Sequence, residues 1–553
     1  MEEFKIIAKT FQGLEEVLAK ELKALGANNI ETGRRMVSFT GNQEMLYRAN
    51  FCLRTAVKVL KPIKEFKAQD ADDVYEVVKK MDWSQYMDVT TTFLIETVVF
   101  SEQLRHSRFV AYRVKDAIAD YWREKTGERP NVGITNPDLR INVHVSDEEV
   151  SISLDSSGES LHLRGYKVKN TEAPINEVLA AGLVLLSGWD CQCDLIDPFC
   201  GSGTILIEAA LIAQNIYPGV FRKEYAFERW KDFDEELFDR IYNDDSEERA
   251  FDYKIYGYDI NRRVVQIALE NVKSAGVQNI VDVQQGDIAN FEQPVEKSII
   301  ITNPPYGERI KAEGTDDILK LYSTIGERLK HAFVGGDAWI ICNKEEYFAS
   351  IGMRPSTRIA LLNGNIECEF RKYQIFDGKL KERREEGLDI KSDEDRRRNV
   401  KFKPYRKNED GEWSRGERSM DTEEHYFRSK PYKEEKRAWQ TERSNRREEK
   451  QRPLSAYNQH KQIFEAMDEE EREIIDRHLG KWGDRTTPIA REENQRGRSR
   501  RDDKKNRGGK RDDWGFARLE NQDTEPERPS RGDRRYEDRP RRNPFPGKKG
   551  GKK

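Results

Sequence analysis

Three short segments hold the residues best suited to chemistry. The first is Asp197-Pro198-Phe199-Cys200-Gly201-Ser202-Gly203, flanked by apolar runs on both sides. It reads as a strand running into a glycine turn that opens a helix. Glycines there let backbone N–H groups and the helix N-terminus approach a ligand closely. A nucleotide-like cofactor suits this turn better than bare phosphate. There is no Lys-Ser/Thr pair as in a P-loop and no third glycine as in a dinucleotide fingerprint. The second segment is a pair of acids at successive strand ends, Asp259 in Tyr256-Gly257-Tyr258-Asp259 and Asp287 in Gln285-Gly286-Asp287. A carboxylate at the first position can accept hydrogen bonds from vicinal ribose hydroxyls, and one at the second can contact an exocyclic amine. Taken singly, each acid reads as a helix cap or turn residue. Together, behind a glycine turn, they outline a site.

The third segment is Thr302-Asn303-Pro304-Pro305-Tyr306-Gly307, after the apolar run Ser298–Ile301. Tandem prolines remove two N–H donors and stiffen the backbone. The Asn303 side-chain oxygen and the Pro304 carbonyl are then left as acceptors for a donor-only amine, and the Tyr306 ring can stack on a planar base. The seven histidines do not cluster around these segments. Cys191, Cys193 and Cys200 match no structural zinc spacing, so no metal is expected.

Around these segments the sequence alternates strand and helix signals from residue 190 onward. Strands are predicted at Asp194–Pro198, Ile255–Ile260, Ile280–Gln284, Ser298–Thr302, Ala338–Cys342, Arg358–Leu362 and Arg371–Phe376, and helices at Thr204–Gln214 and Arg262–Ala275. This rhythm implies an α/β domain, a mostly parallel sheet with helices on both faces. The last two strands, joined through Asn363-Gly364-Asn365, read as a hairpin. Residues 215–253 interrupt the rhythm with an aromatic and acidic insertion. The front of the chain reads as small α+β modules. Its signals include a strand at Phe4–Ala8, a helix carrying Leu14, Val17, Leu18, Leu22 and Leu25, and a helix with Val110, Val114, Ala117, Ile118 and Tyr121 on one face.

Charge divides the chain. Over its 553 residues, 97 basic and 101 acidic side chains give a net charge of −4, yet residues 381–553 alone hold 50 basic and 40 acidic ones. That tail has little apolar content and no period, so disorder is its expected state, with one candidate short helix at 463–479. The asymmetry points to a polyanionic partner, nucleic acid first. No run approaches the 18 or so apolar residues of a membrane span, and the acidic start is unlike a secretory signal. A soluble, cytoplasmic protein without membrane partners is expected.

Asp197–Gly203 taken with Asn303-Pro304-Pro305-Tyr306 resembles the S-adenosylmethionine-dependent amino-methyltransferases. More narrowly, residues 1–378 resemble the bacterial 23S rRNA (guanine-N2)-methyltransferases of the RlmL type. Leu53-Arg54-Thr55-Ala56, Arg113-Val114-Lys115-Asp116, Arg164-Gly165-Tyr166 and Ala173-Pro174-Ile175-Asn176-Glu177 add to the match. The resemblance implies a ferredoxin-like α+β module at 1–65, a THUMP RNA-binding domain at 66–165 and a Rossmann-like class I methyltransferase domain at 166–378, followed by a basic tail at 379–553. It implies S-adenosylmethionine as cofactor, its methionine end over Asp197, Phe199, Gly201 and Gly203, its ribose on Asp259 and its adenine on Asp287. Asn303 and Pro304 would hold the N2 amine of the target guanine, with Asn303 also bordering the cofactor and Tyr306 stacked on the base. Arg105, Arg108, Arg113 and Lys115 are the candidate phosphate contacts. The sequence departs from the pattern in carrying one methyltransferase domain where some longer relatives carry two, and its tail has no counterpart. The implied partner is 23S rRNA, free or in ribosomal precursor particles. Two other readings stay open: a tRNA guanosine-N2 methyltransferase, and an RNA-binding or ribosome-assembly factor acting through its basic tail.

Overall fold

The computed structural model describes residues 2–376, apart from 102–103, 105, 172–173, 296, 307–314 and 334, together with 406–407 and 413–414. Arg105, the candidate helix at 463–479 and nearly all of the charged tail lie outside the described residues. The chain divides into two units, Met1–Lys403 with Arg534–Lys553, and Pro404–Asp533. The second unit shows a short antiparallel pairing of Arg406–Lys407 with Trp413–Ser414. The first unit holds two seven-stranded sheets.

The front sheet is built from β1 (Phe4–Lys9), α1 (Glu15–Ala24), β2 (Asn28–Gly33), β3 (Met36–Gly41), α2 (Gln43–Cys52), β4 (Lys58–Lys67), α3 (Ala71–Lys79), β5 (Phe93–Phe100), α4 (Ser107–Thr126), β6 (Leu139–Ser146) and β7 (Glu149–Asp155). Its strand order is β2-β3-β1-β4-β7-β6-β5. Only β5 and β6 run parallel; the other neighbours are antiparallel. β6 shows the strict alternation of a half-covered strand, with Leu139, Ile141, Val143 and Val145 buried. β4 pairs with β1 through Lys58–Leu60 and with β7 through Leu60–Lys67. One strand therefore serves both front modules. Its pairing with β7 shifts register at Pro62, a residue that cannot donate to the ladder.

The second sheet follows α5 (Glu177–Ser187) and comprises β8 (Asp194–Asp197), α6 (Thr204–Ala213), α7 (Glu235–Asn243), β9 (Ile255–Asp259), α8 (Arg262–Ser274), β10 (Val281–Gln285), β11 (Ser298–Thr302), α9 (Thr315–Ala332), β12 (Asp337–Cys342), α10 (Glu345–Ser350), β13 (Thr357–Asn363) and β14 (Ile366–Gln374). Its order is β10-β9-β8-β11-β12-β14-β13. The first five strands are parallel, and β14 and β13 return as the expected antiparallel hairpin. The chain moves from β8 outward to β10, then crosses back to β11 on the other side of β8. The carboxyl ends of β8 and β11 thus flank the topological switch point, where open parallel sheets bind ligands.

The two sheets share a core. One cluster of buried residues runs from Ile6 in β1 to Phe370 in β14. The aromatic insertion fastens onto α2: Phe227 stacks on Tyr47 with centroids 4.4 Å apart, and Phe238 meets Phe51 and Tyr47 edge-on. Polar groups fasten the same junction. Arg164 is 1% exposed and donates to the Leu161 carbonyl (2.7 Å), the Arg54 carbonyl and the Glu208 carboxylate on α6 (3.4 Å). Tyr166 donates to the same Glu208 oxygen at 2.9 Å. Arg54 in turn reaches the Ile216 carbonyl (2.7 Å), and its backbone N–H is bound by Glu21 of α1 (2.8 Å). Among the described residues no helix is long and apolar enough to cross a membrane.

Candidate active site

The parallel register brings the singled-out residues to one end of the second sheet. Asp197 closes β8, Asp259 closes β9, Asp287 follows β10 and Asn303 follows β11. Asp197 is 1% exposed. Its carboxylate accepts the Thr302 hydroxyl at 2.6 Å and the Phe199 N–H at 3.1 Å, which joins the two strands of the switch point. Burial pushes the Asp197 carboxyl up to about 7, against the pull of those two donors and with some help from the charge of Asp259. A carboxyl raised in the folded state binds its proton more tightly there than in the unfolded chain. Its contribution to stability is full below the ordinary value of 3.8 and is lost as pH rises to about 7. In ligand-free protein, melting temperature followed from pH 4 to pH 7 should fall more for the native chain than for Asp197→Asn; parallel curves would refute this.

The glycine turn has the backbone that its composition predicts. Gly201 and Gly203 take φ of +55° and +80°, a region that L side chains rarely adopt. A Cβ at Gly203 would lie 3.4 Å from Ala268 Cβ on α8, so the helix packs closely behind the turn. Gly203 is the N-cap of α6, and among the described residues no side chain caps that helix. The first-turn N–H groups of α6 therefore face the turn, as anion-binding helix ends do. Asn271 of α8, fully buried, holds the turn from behind. Its Nδ2 donates to the Ser202 and Lys169 carbonyls, both at 3.0 Å, and its Oδ1 accepts from the N–H groups of Val168 (2.9 Å) and Lys169 (3.2 Å). All four bonds of the amide are used. Sequence reasoning missed Asn271, because nothing in its helical surroundings marks it apart from an ordinary polar position.

Asp259 is half-buried and accepts the Asn261 N–H at 2.8 Å. Burial raises its carboxyl, and the N–H groups of Asn261 and Gly201 offset part of that rise. Asp287 is exposed and caps the short turn Ile288–Asn290 through the Ala289 N–H at 2.9 Å. Both acids thus act as turn residues at strand ends, Asp259 next to the glycine turn through the Gly201 N–H and Asp287 one strand further out. Phe199 lies partly buried against the cluster that also holds Tyr258 and Tyr306.

Asn303 stands apart from the acids at the other strand ends. Its Oδ1 is buried and accepts no hydrogen bond among the described residues. A buried carbonyl oxygen without a donor is costly, and such groups mark sites where a ligand completes the bonding. Pro304 beside it is buried and carries no N–H to compete. The Tyr306 hydroxyl accepts from Asn363 Nδ2 at 2.6 Å, a partner from the β13–β14 turn that the sequence reading took as a hairpin residue only. Among the described residues no group of three or more His, Cys, Asp or Glu could hold a metal ion.

On the front sheet, the candidate phosphate contacts fall on α4. Arg108 is exposed. Arg113 pairs with Asp72 at 2.5 Å and lies over the Tyr75 ring, 4.3 Å from its centroid, bracing α4 against α3. Lys115 pairs with Asp116 at 2.8 Å. The same helix exposes two aromatics, Phe109 (54%) and Tyr112 (59%). Their spacing of three makes them neighbours on the helix surface.

An open parallel sheet with this switch point, a glycine turn, acids at successive strand ends and a buried acceptor after β11 defines a Rossmann-like methyltransferase domain. Residues 164–372 match the RMKL-like methyltransferase domain, residues 68–155 the THUMP domain and residues 5–60 the RlmL ferredoxin-like domain. The chain belongs to the RMKL-like methyltransferase family, with the RlmL ferredoxin-like and THUMP domains preceding the methyltransferase domain. A relative from Synechocystis sp., named "Putative RNA methyltransferase", is 36% identical over 371 residues, which are 67% of this chain and 96% of the relative. The "Ribosomal RNA large subunit methyltransferase K/L" of Photobacterium profundum is 36% identical over 388 residues, 69% of this chain. The chain spans about half (54%) of that protein's length. A solved "putative methyltransferase complexed with SAH" is 29% identical and superposes with a TM-score of 0.62, covering 68% of this chain and all of that one.

Proposed function

We propose that this chain is an S-adenosylmethionine-dependent RNA methyltransferase that methylates the exocyclic N2 amine of a guanosine in 23S rRNA. The observation that carries the reading is Asn303 Oδ1, a buried acceptor that meets no donor among the described residues, placed after β11 at the switch point beside the glycine turn. A guanine N2 amine offers hydrogen-bond donors to such an atom. The choice of ribosomal RNA follows the name of the Photobacterium relative, and the guanine follows the resemblance seen in the sequence.

When bound, S-adenosylmethionine supplies a methyl group activated by its sulfonium. The glycine turn and the first turn of α6 would hold its methionine end, with Asp197 beneath; Asp259 would take the ribose hydroxyls and Asp287 the adenine amine. Asn303 Oδ1 and the Pro304 carbonyl would accept the two N–H bonds of the target amine, drawing the nitrogen lone pair out of the ring and toward the methyl carbon. The amine forms the new N–C bond as the C–S bond breaks, and its surplus proton passes to solvent afterwards. Tyr306 would stack on the guanine, which must leave its helix to reach the site. An rRNA substrate, whether free or in a ribosomal precursor particle, places the enzyme in the cytoplasm.

Nucleoside mass spectrometry on 23S rRNA, 16S rRNA and tRNA from cells with and without the gene tests the reading. Loss of N2-methylguanosine from 23S rRNA alone is expected. Loss from tRNA would replace the substrate, and no loss in any pool would turn attention to the basic tail as an RNA-binding element.

For the RNA grip on α4, Phe109→Ala and Tyr112→Ala should each weaken binding by about 1–3 kcal/mol without changing its salt dependence, as lost base stacking does. Arg108→Glu should instead reduce the salt slope by roughly one or more. Filter binding across a salt series separates the two; unchanged affinity in all three variants would remove α4 from the interface.

A further inference from the structure

Tyr306 hangs from the turn after β11, yet its far end is held by another part of the sheet. Asn363 donates from Nδ2 to the phenolic oxygen at 2.6 Å. Asn363 ends β13 and is 7% exposed. It pairs across the hairpin with Ile366, and the turn between them depends on Gly364 at φ +66°. β13 is itself confined. β14 pairs with it along its whole length, and the β1–α1 turn of the front sheet presses on it at Gly13, where an added Cβ would lie 2.7 Å from Leu361 Cδ2. The amide that meets Tyr306 is therefore mounted on one of the better-fixed points near the site.

A tyrosine anchored only at its backbone can swing about two side-chain torsions. Pinning the para oxygen removes the swing and leaves only rotation of the ring about its own long axis. We propose that Asn363 is a positioning residue, whose tether to the Tyr306 hydroxyl sets the direction of that ring for stacking on the target base. The inference rests on the reading of Tyr306 as the base-stacking residue. Nothing about the tether requires asparagine in particular. A phenol can donate as well as accept, so a carboxylate at 363 would keep the link with the proton reversed.

The test uses the full chain, tritiated S-adenosylmethionine and 23S rRNA isolated from cells lacking the gene, in single-turnover methyl transfer, with cofactor affinity measured in parallel. Asn363→Leu should slow transfer roughly ten- to a hundredfold, the scale of a small misplacement at a reacting centre, with cofactor affinity unchanged. Tyr306→Phe keeps the ring and loses only the hydroxyl, and it should show the same defect. The double variant should be no slower than either single one, and Asn363→Asp should recover most of the rate. Full activity of Tyr306→Phe, or a double variant as slow as the product of the two single effects, would overturn the tether. Should Asn363→Leu lose cofactor affinity through misfolding, Tyr306→Phe decides alone, because it disturbs no packing. Full activity of Tyr306→Ala is a different outcome: it would overturn the base-stacking reading itself.

Discussion

Asn303→Ala is expected to lower methyl transfer by about a hundred- to a thousandfold, the usual effect of removing one preorganised polar group from a reacting centre, while S-adenosylmethionine still binds. The argument begins with the buried Oδ1 that accepts no hydrogen bond among the described residues. Leaving such an acceptor unmet disfavours the ligand-free fold, so truncation to alanine should not harm stability and can raise it. A residue whose removal stabilises the protein and silences it has a role in binding or chemistry rather than in holding the fold. Asn303→Asp divides the contributions further: it keeps an acceptor at the same place but adds a negative charge beside Asp197, a carboxyl already pushed up by burial. Single-turnover rates, cofactor affinity by calorimetry and melting temperature should be measured on the same preparations. Unchanged turnover in Asn303→Ala would end the proposed mechanism. Loss of turnover together with loss of cofactor affinity would move Asn303 from the amine to the cofactor.

Arg164→Met is expected to be the most destabilising single change outside the apolar core, at about 3–5 kcal/mol, the range for breaking a buried ion pair from one side. Arg164 and Glu208 are each 1% exposed. Removing the guanidinium strands the Leu161 and Arg54 carbonyls and leaves Glu208 with the Tyr166 hydroxyl and the more distant charge of Arg54. Methionine fills similar volume, so the loss comes from unmet polar groups more than from a void. Glu208 lies one turn into the helix that opens at Gly203. Weakened cofactor binding should therefore accompany the fall in melting temperature. Glu208→Gln, which keeps an acceptor for Tyr166, should be milder than Glu208→Ala. Equal stability of Arg164→Met and the native chain would show that the junction is held by its apolar contacts alone.

The parts of the fold that were legible are those where local chemistry and tertiary role coincide. β8, β9 and β11 are short apolar runs punctuated by glycine, proline or acid, and the residues at their ends read as a site because strand ends are where such sheets bind ligands. The face of α4 was readable from Val110, Val114, Ala117 and Ile118, all buried, although Tyr121 is only partly so. β2 and β4 left weak signals. β2 is an edge strand, Asn-Asn-Ile-Glu-Thr-Gly, without a buried residue, and β4 mixes lysines with a proline. Long-range polar contacts left none at all: Asn363 meets a side chain 57 positions away, and Asn271 one strap more than 100 positions away. Arg113 shows the converse. Its sequence setting fits a phosphate contact, whereas its geometry ties it to Asp72 and Tyr75.

β4 joins the two halves of the front sheet as one strand, and one cluster of buried residues continues from that sheet into the methyltransferase domain. Among the described residues the two sheets are joined by packed side chains as well as by the chain itself. The molecule is in that respect a caliper rather than a pair of hands. On the proposed reading, an RNA gripped at α4 with one of its bases against Tyr306 would have to bridge a span set by the protein, and helices or loops that fall short of that span, or overshoot it, would be turned away before any base is read.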